Sequence, residues 1–309
     1  MECYKYMKNI KQERKVQVLK KAIKILMQDN TLKRNEINIP NEFEKKGENR
    51  YIITTIIVSY NHEKYIAHAI DSALMQCGNF KHEIIISDDG STDKTVEIIK
   101  HYAKKYPDII KNISESKNIG VGENYKKCFK FANGKYIAIL EGDDFWIDPL
   151  KLEKQSIFLD KNFDCSMVFN RFLMFDEETL SKVLLKRWEN LPEKIDEDIF
   201  ISAEFNPIVN FSCTMFRSEI MKILPSDLYI PRLSEISLSV FLLQNSKIGF
   251  CKDISSVYRR NMNSVWTGSS RLNQLNQSIN ILKTTVKYSK NRNWVRKLKE
   301  LQVKLNQLK

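Results

Sequence analysis

Glu141, Asp143 and Asp144 put three carboxylates into four residues, directly after the apolar run Tyr136–Leu140. Charges of one sign packed that closely repel, so something positive should offset them. A hard divalent cation fits, because Mg²⁺ and Mn²⁺ take a few carboxylates together with phosphate oxygens. A solvated acidic turn fits the same residues. Gly142 lets the backbone bend where the acids converge. Asp148 and Pro149 read as N-cap and first residue of a following helix. A second acidic pair, Asp88 and Asp89, follows another apolar run, Glu83–Ser87.

The elements that carry these acids follow from periodicity. Ile52–Val58 is a β-branched run suited to a buried strand, ended by Ser59-Tyr60-Asn61-His62. Ile66, Ala69, Ile70, Ala73 and Leu74 share one face of a helix reaching about Gln76. A turn at Asp88–Asp93 leads to a helix capped by Ser91 or Thr92, with Val96, Ile99 and Ala103 facing inward. A short strand near Ile109–Ile113, a turn at Asn118–Gly120 and a helix over Glu123–Ala132 precede the strand at Tyr136. Strands alternating with single helices predict an α/β fold, its mostly parallel Rossmann-like sheet flanked by helices. Both acidic clusters then lie at C-terminal strand ends on one rim, where such folds bind ligands.

The charge is uneven. The chain of 309 residues carries a formal +12, with +6 in residues 1–50, +8 in 283–309 and −2 between them. A predicted helix over 10–29 has Val16, Leu19, Ile23 and Leu26 on one face, and 30–50 reads as a linker. Six scattered cysteines have neither CxxC spacing nor a histidine pattern for zinc, as expected of reduced thiols in the cytoplasm. The N-terminal residues lack the apolar run of a signal peptide, and no segment has the ~18 apolar residues of a spanning helix.

The segments IIVSYNHEKYIAHAIDSAL, EIIISDDGSTDKT, NIGVGENY and ANGKYIAILEGDDFWIDPLKLEKQ resemble family 2 glycosyltransferases of the GT-A fold, in register over Tyr51–Lys161. A weaker similarity continues through TMFRSEI and KIGFCKDISSVYRRNMNSVWTG, on the acceptor side of bacterial members that build cell-surface glycans. The resemblance divides the chain into a basic extension (1–50), a GT-A domain (51–268) and a helical extension (269–309). Within the GT-A domain, 51–161 is the nucleotide-sugar half and 162–268 the acceptor half. It implies an inverting, metal-dependent transferase that moves a sugar from a nucleotide-diphosphate donor, a UDP-sugar foremost. The acceptor is a hydroxyl of a glycan or lipid-linked molecule in polysaccharide, lipooligosaccharide or glycoprotein glycan synthesis.

Carried over by position, Val58, Ser59 and Tyr60 border the base and ribose. Asp89 contacts the nucleobase, and Asp88 shapes its turn. Asp143 falls on the last acid of the family's DxD signature and meets Mn²⁺ or Mg²⁺ bridging the diphosphate. Glu141 stands where the first Asp is usual, on the donor and metal side. Asp144 is a further metal ligand or an orienting neighbour. Glu235 in Leu233-Ser234-Glu235-Ile236 occupies the place of the base, although the family's Gly-Asp-Trp is replaced throughout. Arg259 or Arg260 contacts phosphate or forms a surface ion pair.

After Gly268, Leu272, Leu275, Ile279, Leu282 and Val286, then Trp294, Leu298, Leu301, Leu305 and Leu308, recur at three and four residues. That seam suits internal packing, a homo-oligomer or, through its basic face, peripheral contact with the cytoplasmic side of a membrane. Three rival functions are a catalytically impaired nucleotide-sugar-binding relative, a basic nucleic-acid-binding protein and a nucleotidyltransferase, the last disfavoured because Ser59-Tyr60-Asn61-His62 stands where a Gly-rich basic loop would follow the first strand. The second is disfavoured because the positive charge lies on amphipathic ends without any nucleic-acid motif.

Overall fold

In a computed structural model, residues 51–204, 206–260 and 268–308 are described. The expected helix over 10–29 and linker over 30–50 lie outside them. The β-branched run forms β1 (Ile52–Ser59), followed by α1 (Ile66–Leu74), β2 (Lys81–Asp88), α2 (Thr95–Lys105), β3 (Ile110–Asn112) and α3 (Val121–Phe131). Then come β4 (Tyr136–Glu141), β5 (Phe145–Trp146), α4 (Lys151–Lys161) and the long β6 (Cys165–Asp176). The remainder holds β7 (Lys182–Val183), β8 (Lys194–Ile195), α5 (Glu197–Ser202), β9 (Thr214–Arg217), α6 (Ser218–Met221) and α7 (Glu235–Leu243). It ends with β10 (Lys247–Arg260), α8 (Arg271–Tyr288) and α9 (Arg292–Leu308).

One mixed sheet runs β3-β2-β1-β4-β9-β6-β10-β5, with β7 on β6 and β8 on β10. β1 pairs in parallel with both β2 and β4, so that Ser59 lies opposite Asp88 and Val58 opposite Glu141. The expected rim is therefore present. β9 is antiparallel to both β4 and β6, a reversal that its four residues do not announce in sequence. Ile56, Ile85, Ile137 and Ile139 pack on one face with Tyr125 and Phe129 of α3. Ile53, Ile57, Ile84 and Ile86 pack on the other with α1, α2 and α4. Strand residues buried on both faces explain the unbroken apolar runs. Truncating one of them, such as the fully buried Ile57, to alanine costs roughly 2–5 kcal/mol.

Two helix starts differ from the sequence reading. α4 begins at Lys151 because Asp148 turns the chain first, its Oδ1 accepting from the Leu150 N–H at 2.9 Å. α2 begins at Thr95, and Asp93 rather than Ser91 or Thr92 takes the Thr95 N–H, at 2.9 Å. Cys77, Cys128, Cys165, Cys213 and Cys251 are free thiols. The apolar seam of the last two helices is used within the chain. Trp294 is fully buried beside Phe200 and donates its indole N–H to Glu197 at 2.7 Å. Val295, Val303 and Leu308 stay exposed on α9. Among the described residues no helix is long and apolar enough to cross a membrane.

Candidate functional site

β1 organises the site by gripping both acidic corners through its last carbonyls. The Asp89 N–H donates to Ser59 O at 2.9 Å, and the Gly142 N–H donates to Val58 O at 2.8 Å. Residues 89 and 143 therefore flank one strand end. Gly142 serves close approach here: a Cβ would lie 2.8 Å from His62 Nδ1 and 2.9 Å from Val58 O.

The first corner is saturated by neutral donors. The buried Asp88 accepts from Ser59 Oγ at 2.8 Å, Ser91 Oγ at 2.5 Å and the Ser91 N–H at 2.8 Å, so it shapes its turn. Asp89 accepts from the Ile119 N–H at 2.7 Å and the Gly120 N–H at 3.1 Å. Burial pushes its carboxyl above the usual range, against the pull of those two amides. The loop ahead of α3 thus wraps around Asp89. Of the three residues at the exit of β1, Val58 and Ser59 turn buried side chains into the core and toward Asp88, while Tyr60 is 42% exposed on the rim.

The second corner is crowded. Asp144 is fully buried, with Oδ1 accepting from the Arg259 N–H at 2.9 Å, and Oδ2 from Asn210 Nδ2 at 2.8 Å and Ser212 Oγ at 2.6 Å. Burial and the neighbouring Asp143 push its carboxyl up to about 7. Glu141 shares Asn210 Nδ2, at 2.8 Å, and faces the Tyr125 hydroxyl at 3.5 Å. Burial, then Asp144 and Asp143, raise it well above the carboxylate range. Asp143 differs from both. Among the described residues its carboxylate accepts no hydrogen bond, and its Oδ2 lies 3.9 Å from His62 Nε2.

Glu235 is the first residue of α7, whose cap Ser234 accepts from the N–H groups of Ile236 and Ser237. A helix N-terminus favours the ionised carboxylate. Burial raises its proton affinity and Arg232 opposes that. Its charge also adds to the upward push on Glu141, Tyr125 and Tyr258. Sequence reasoning missed Asn210, Ser212, His62 and Arg232. An asparagine standing inside the apolar stretch Pro207–Cys213 was the available signal. Arg260 forms an exposed pair with Asp176 at 3.8 Å, whereas Arg259 is buried.

Among the described residues no trio of His, Cys, Asp or Glu converges to hold an ion on protein ligands alone. The donor set does fit a divalent cation shared with a ligand. Asp143 presents a carboxylate free of hydrogen bonds beside mutually destabilised acids, and Mg²⁺-type sites commonly use one or two carboxylates plus phosphate oxygens.

The profile of the family described as Glycosyl transferase family 2 matches residues 54–224. An uncharacterized protein of Mycobacterium tuberculosis is 32% identical over 219 residues, covering 69% of this chain and 60% of its own length. The chain thus spans less than two thirds of that relative. An uncharacterized glycosyltransferase of Methanocaldococcus jannaschii is 35% identical over 127 residues, 41% of this chain and 43% of its own. The fold is similar to that of Staphylococcus aureus TarS 1–349 in complex with UDP-GlcNAc, with a TM-score of 0.58 and 15% identity over 82% of this chain and 71% of the other. It is also similar to the mannosyltransferase PcManGT from Pyrobaculum calidifontis in complex with GDP-Man and Mn²⁺, with a TM-score of 0.57 and 14% identity over 97% and 79%.

Proposed function

Since this chain belongs to glycosyl transferase family 2 and is a glycosyltransferase, we propose that it is an inverting, metal-dependent enzyme using a nucleotide-diphosphate sugar, with a UDP-sugar as the first candidate donor. Its acceptor is a hydroxyl of a glycan or lipid-linked molecule. The observation that carries this reading is the pairing of both corners with one strand end. Asp89 and Asp143 flank Ser59 and Val58, and the charge of Glu235 reaches Glu141. In this reading the base lies against Tyr60 and the loop held by Asp89. The diphosphate extends toward Asp143 and Glu141, and the sugar faces Glu235.

Asp143 and, behind it, Glu141 would hold Mn²⁺ or Mg²⁺. Bound there, the ion supplies Lewis-acid stabilisation of charge gathering on the diphosphate. Asp144 serves as an orienting neighbour rather than a ligand, since three donors already occupy its oxygens. Glu235 takes the proton of the attacking hydroxyl as the sugar–phosphate bond breaks on the opposite face. General-base help of this kind is typically worth ~10²–10⁴-fold. Burial raises the carboxyl's proton affinity, which makes it a stronger base for that task.

A panel of UDP-, GDP- and TDP-sugars, incubated with Mn²⁺ and followed by diphosphate release, tests the reading. Mn²⁺-dependent release from one donor supports it. Tight nucleotide-sugar binding without turnover on any acceptor would favour the impaired relative. Peripheral contact through the basic ends is checked by liposome pull-down at varied salt, where indifference to anionic lipid rejects it.

A further inference from the structure

Arg259, the next-to-last residue of β10, is only 7% exposed and lies inside an acidic neighbourhood. Each of its three side-chain nitrogens has a partner. Nη1 donates to the Asp143 main-chain carbonyl at 2.8 Å, Nη2 meets His68 Nδ1 at 2.6 Å, and Nε lies 3.7 Å from Glu177 Oε1. Its centre sits 4.5 Å from the Phe145 ring centroid and 5.3 Å from that of Tyr65. Glu177 is held in turn by the Tyr65 hydroxyl at 2.7 Å. The Arg259 main-chain N–H donates to Asp144 Oδ1 at 2.9 Å. A guanidinium so enclosed has little left to offer a phosphate, and burying it is tolerable only because these partners satisfy it.

The consequence falls on Asp143. Its chain is pinned on one side where Gly142 donates to Val58, and on the other where its own carbonyl accepts from Arg259. The carboxylate itself accepts no hydrogen bond among the described residues. Its aim is therefore set by the main chain. We propose that Arg259 is the positioning residue that aims Asp143 at the diphosphate and its metal, with Glu177 and Tyr65 holding the guanidinium in place. This rests on the reading of Asp143 as the diphosphate-side acid.

Binding of Mn²⁺ to the full chain, with UDP as probe, tests the inference by electron paramagnetic resonance. Arg259→Lys keeps a charge but cannot hold the Asp143 carbonyl, His68 and Glu177 together. It should weaken Mn²⁺ binding about 10- to 100-fold, the usual effect of losing a group that orients a ligand. Metal-free UDP affinity should stay close to the parent protein, the melting temperature should fall because buried partners are lost, and saturating Mn²⁺ should restore most turnover of the folded variant. In an Asp143→Asn background the same change should add little further loss. Glu177→Gln should weaken Mn²⁺ in the same direction by a smaller factor, and it decides the matter if Arg259→Lys does not fold.

Unchanged Mn²⁺ affinity in the folded variants overturns the proposal. So does an equal loss of UDP with and without metal, which marks a phosphate contact, or a loss that excess Mn²⁺ does not repair. Failure of the unaltered protein to bind UDP with Mn²⁺ overturns the donor reading itself, and is read without any variant.

Discussion

Asp88 and Asp89 on one side of β1 are satisfied by hydroxyls and backbone N–H groups, whereas Glu141, Asp143 and Asp144 on the other side press against one another. Both corners bury carboxylates at parallel strand ends. The first binds its charge into a turn and a loop, so it is complete before any ligand arrives. The second shares two neutral side chains, Asn210 and Ser212, between Glu141 and Asp144 and leaves Asp143 open. A corner completed by amides can recognise a neutral group such as a base. A corner whose one buried guanidinium is already engaged by Glu177, His68 and a main-chain carbonyl leaves its open carboxylate to a cation from outside.

That contrast can be broken at several points. The largest effect is expected at the cleft's far side, where Glu235→Gln should lower kcat ~10²–10⁴-fold with little change in UDP affinity. Equal losses in kcat and UDP binding, measured by steady-state kinetics and calorimetry, would assign Glu235 a structural role. Next comes Asp143→Asn, expected to keep the fold and lose turnover roughly 10²–10³-fold. Full turnover by this variant removes the metal assignment. Asp89→Asn sets a donor NH₂ group against the N–H groups of Ile119 and Gly120. It should weaken UDP about 10- to 100-fold with or without Mn²⁺, as expected when charge-assisted bonds worth ~1.5–3 kcal/mol are lost. A purely metal-dependent loss would show that the two corners are not separate in function.

The smallest effect is on stability. Asp144 has a carboxyl raised from 3.8 to about 7, so the folded state holds its proton more tightly than the unfolded chain does. Its contribution is complete below the ordinary value and is lost as pH rises through about 7. Thermal melts of the metal-free protein should therefore fall by a few degrees between pH 4 and 7. Mn²⁺ should offset that fall most strongly above pH 7. A flat profile, or equal lifting by Mn²⁺ at pH 5 and 8, contradicts the crowded-corner account.

Much of this rim was legible in the sequence. β1, β2 and β4 are apolar runs bounded by abrupt polar breaks, and their burial on both faces leaves no ambiguity of period. Acids placed at such breaks must sit at strand ends. The partners of those acids were not legible. Asn210 and Ser212 lie 66 and 68 residues from Asp144, and Arg259 lies 115, so no local pattern ties them to it. Arg259 was expected at a phosphate or on the surface because sequence gives residue type but not burial. The antiparallel β9 was hidden for a similar reason: Thr214–Arg217 carries a strand composition, and direction comes only from the neighbours it joins.

The central claim is that the two corners serve one ligand from opposite sides of β1. Calorimetric titration of UDP into the unaltered protein, Asp89→Asn and Asp143→Asn, each with and without Mn²⁺, tests it most directly. The account predicts that Mn²⁺ tightens UDP binding in the unaltered protein and in Asp89→Asn, and that this tightening disappears in Asp143→Asn. UDP binding that ignores both substitutions, or an Mn²⁺ effect that survives Asp143→Asn intact, would contradict it.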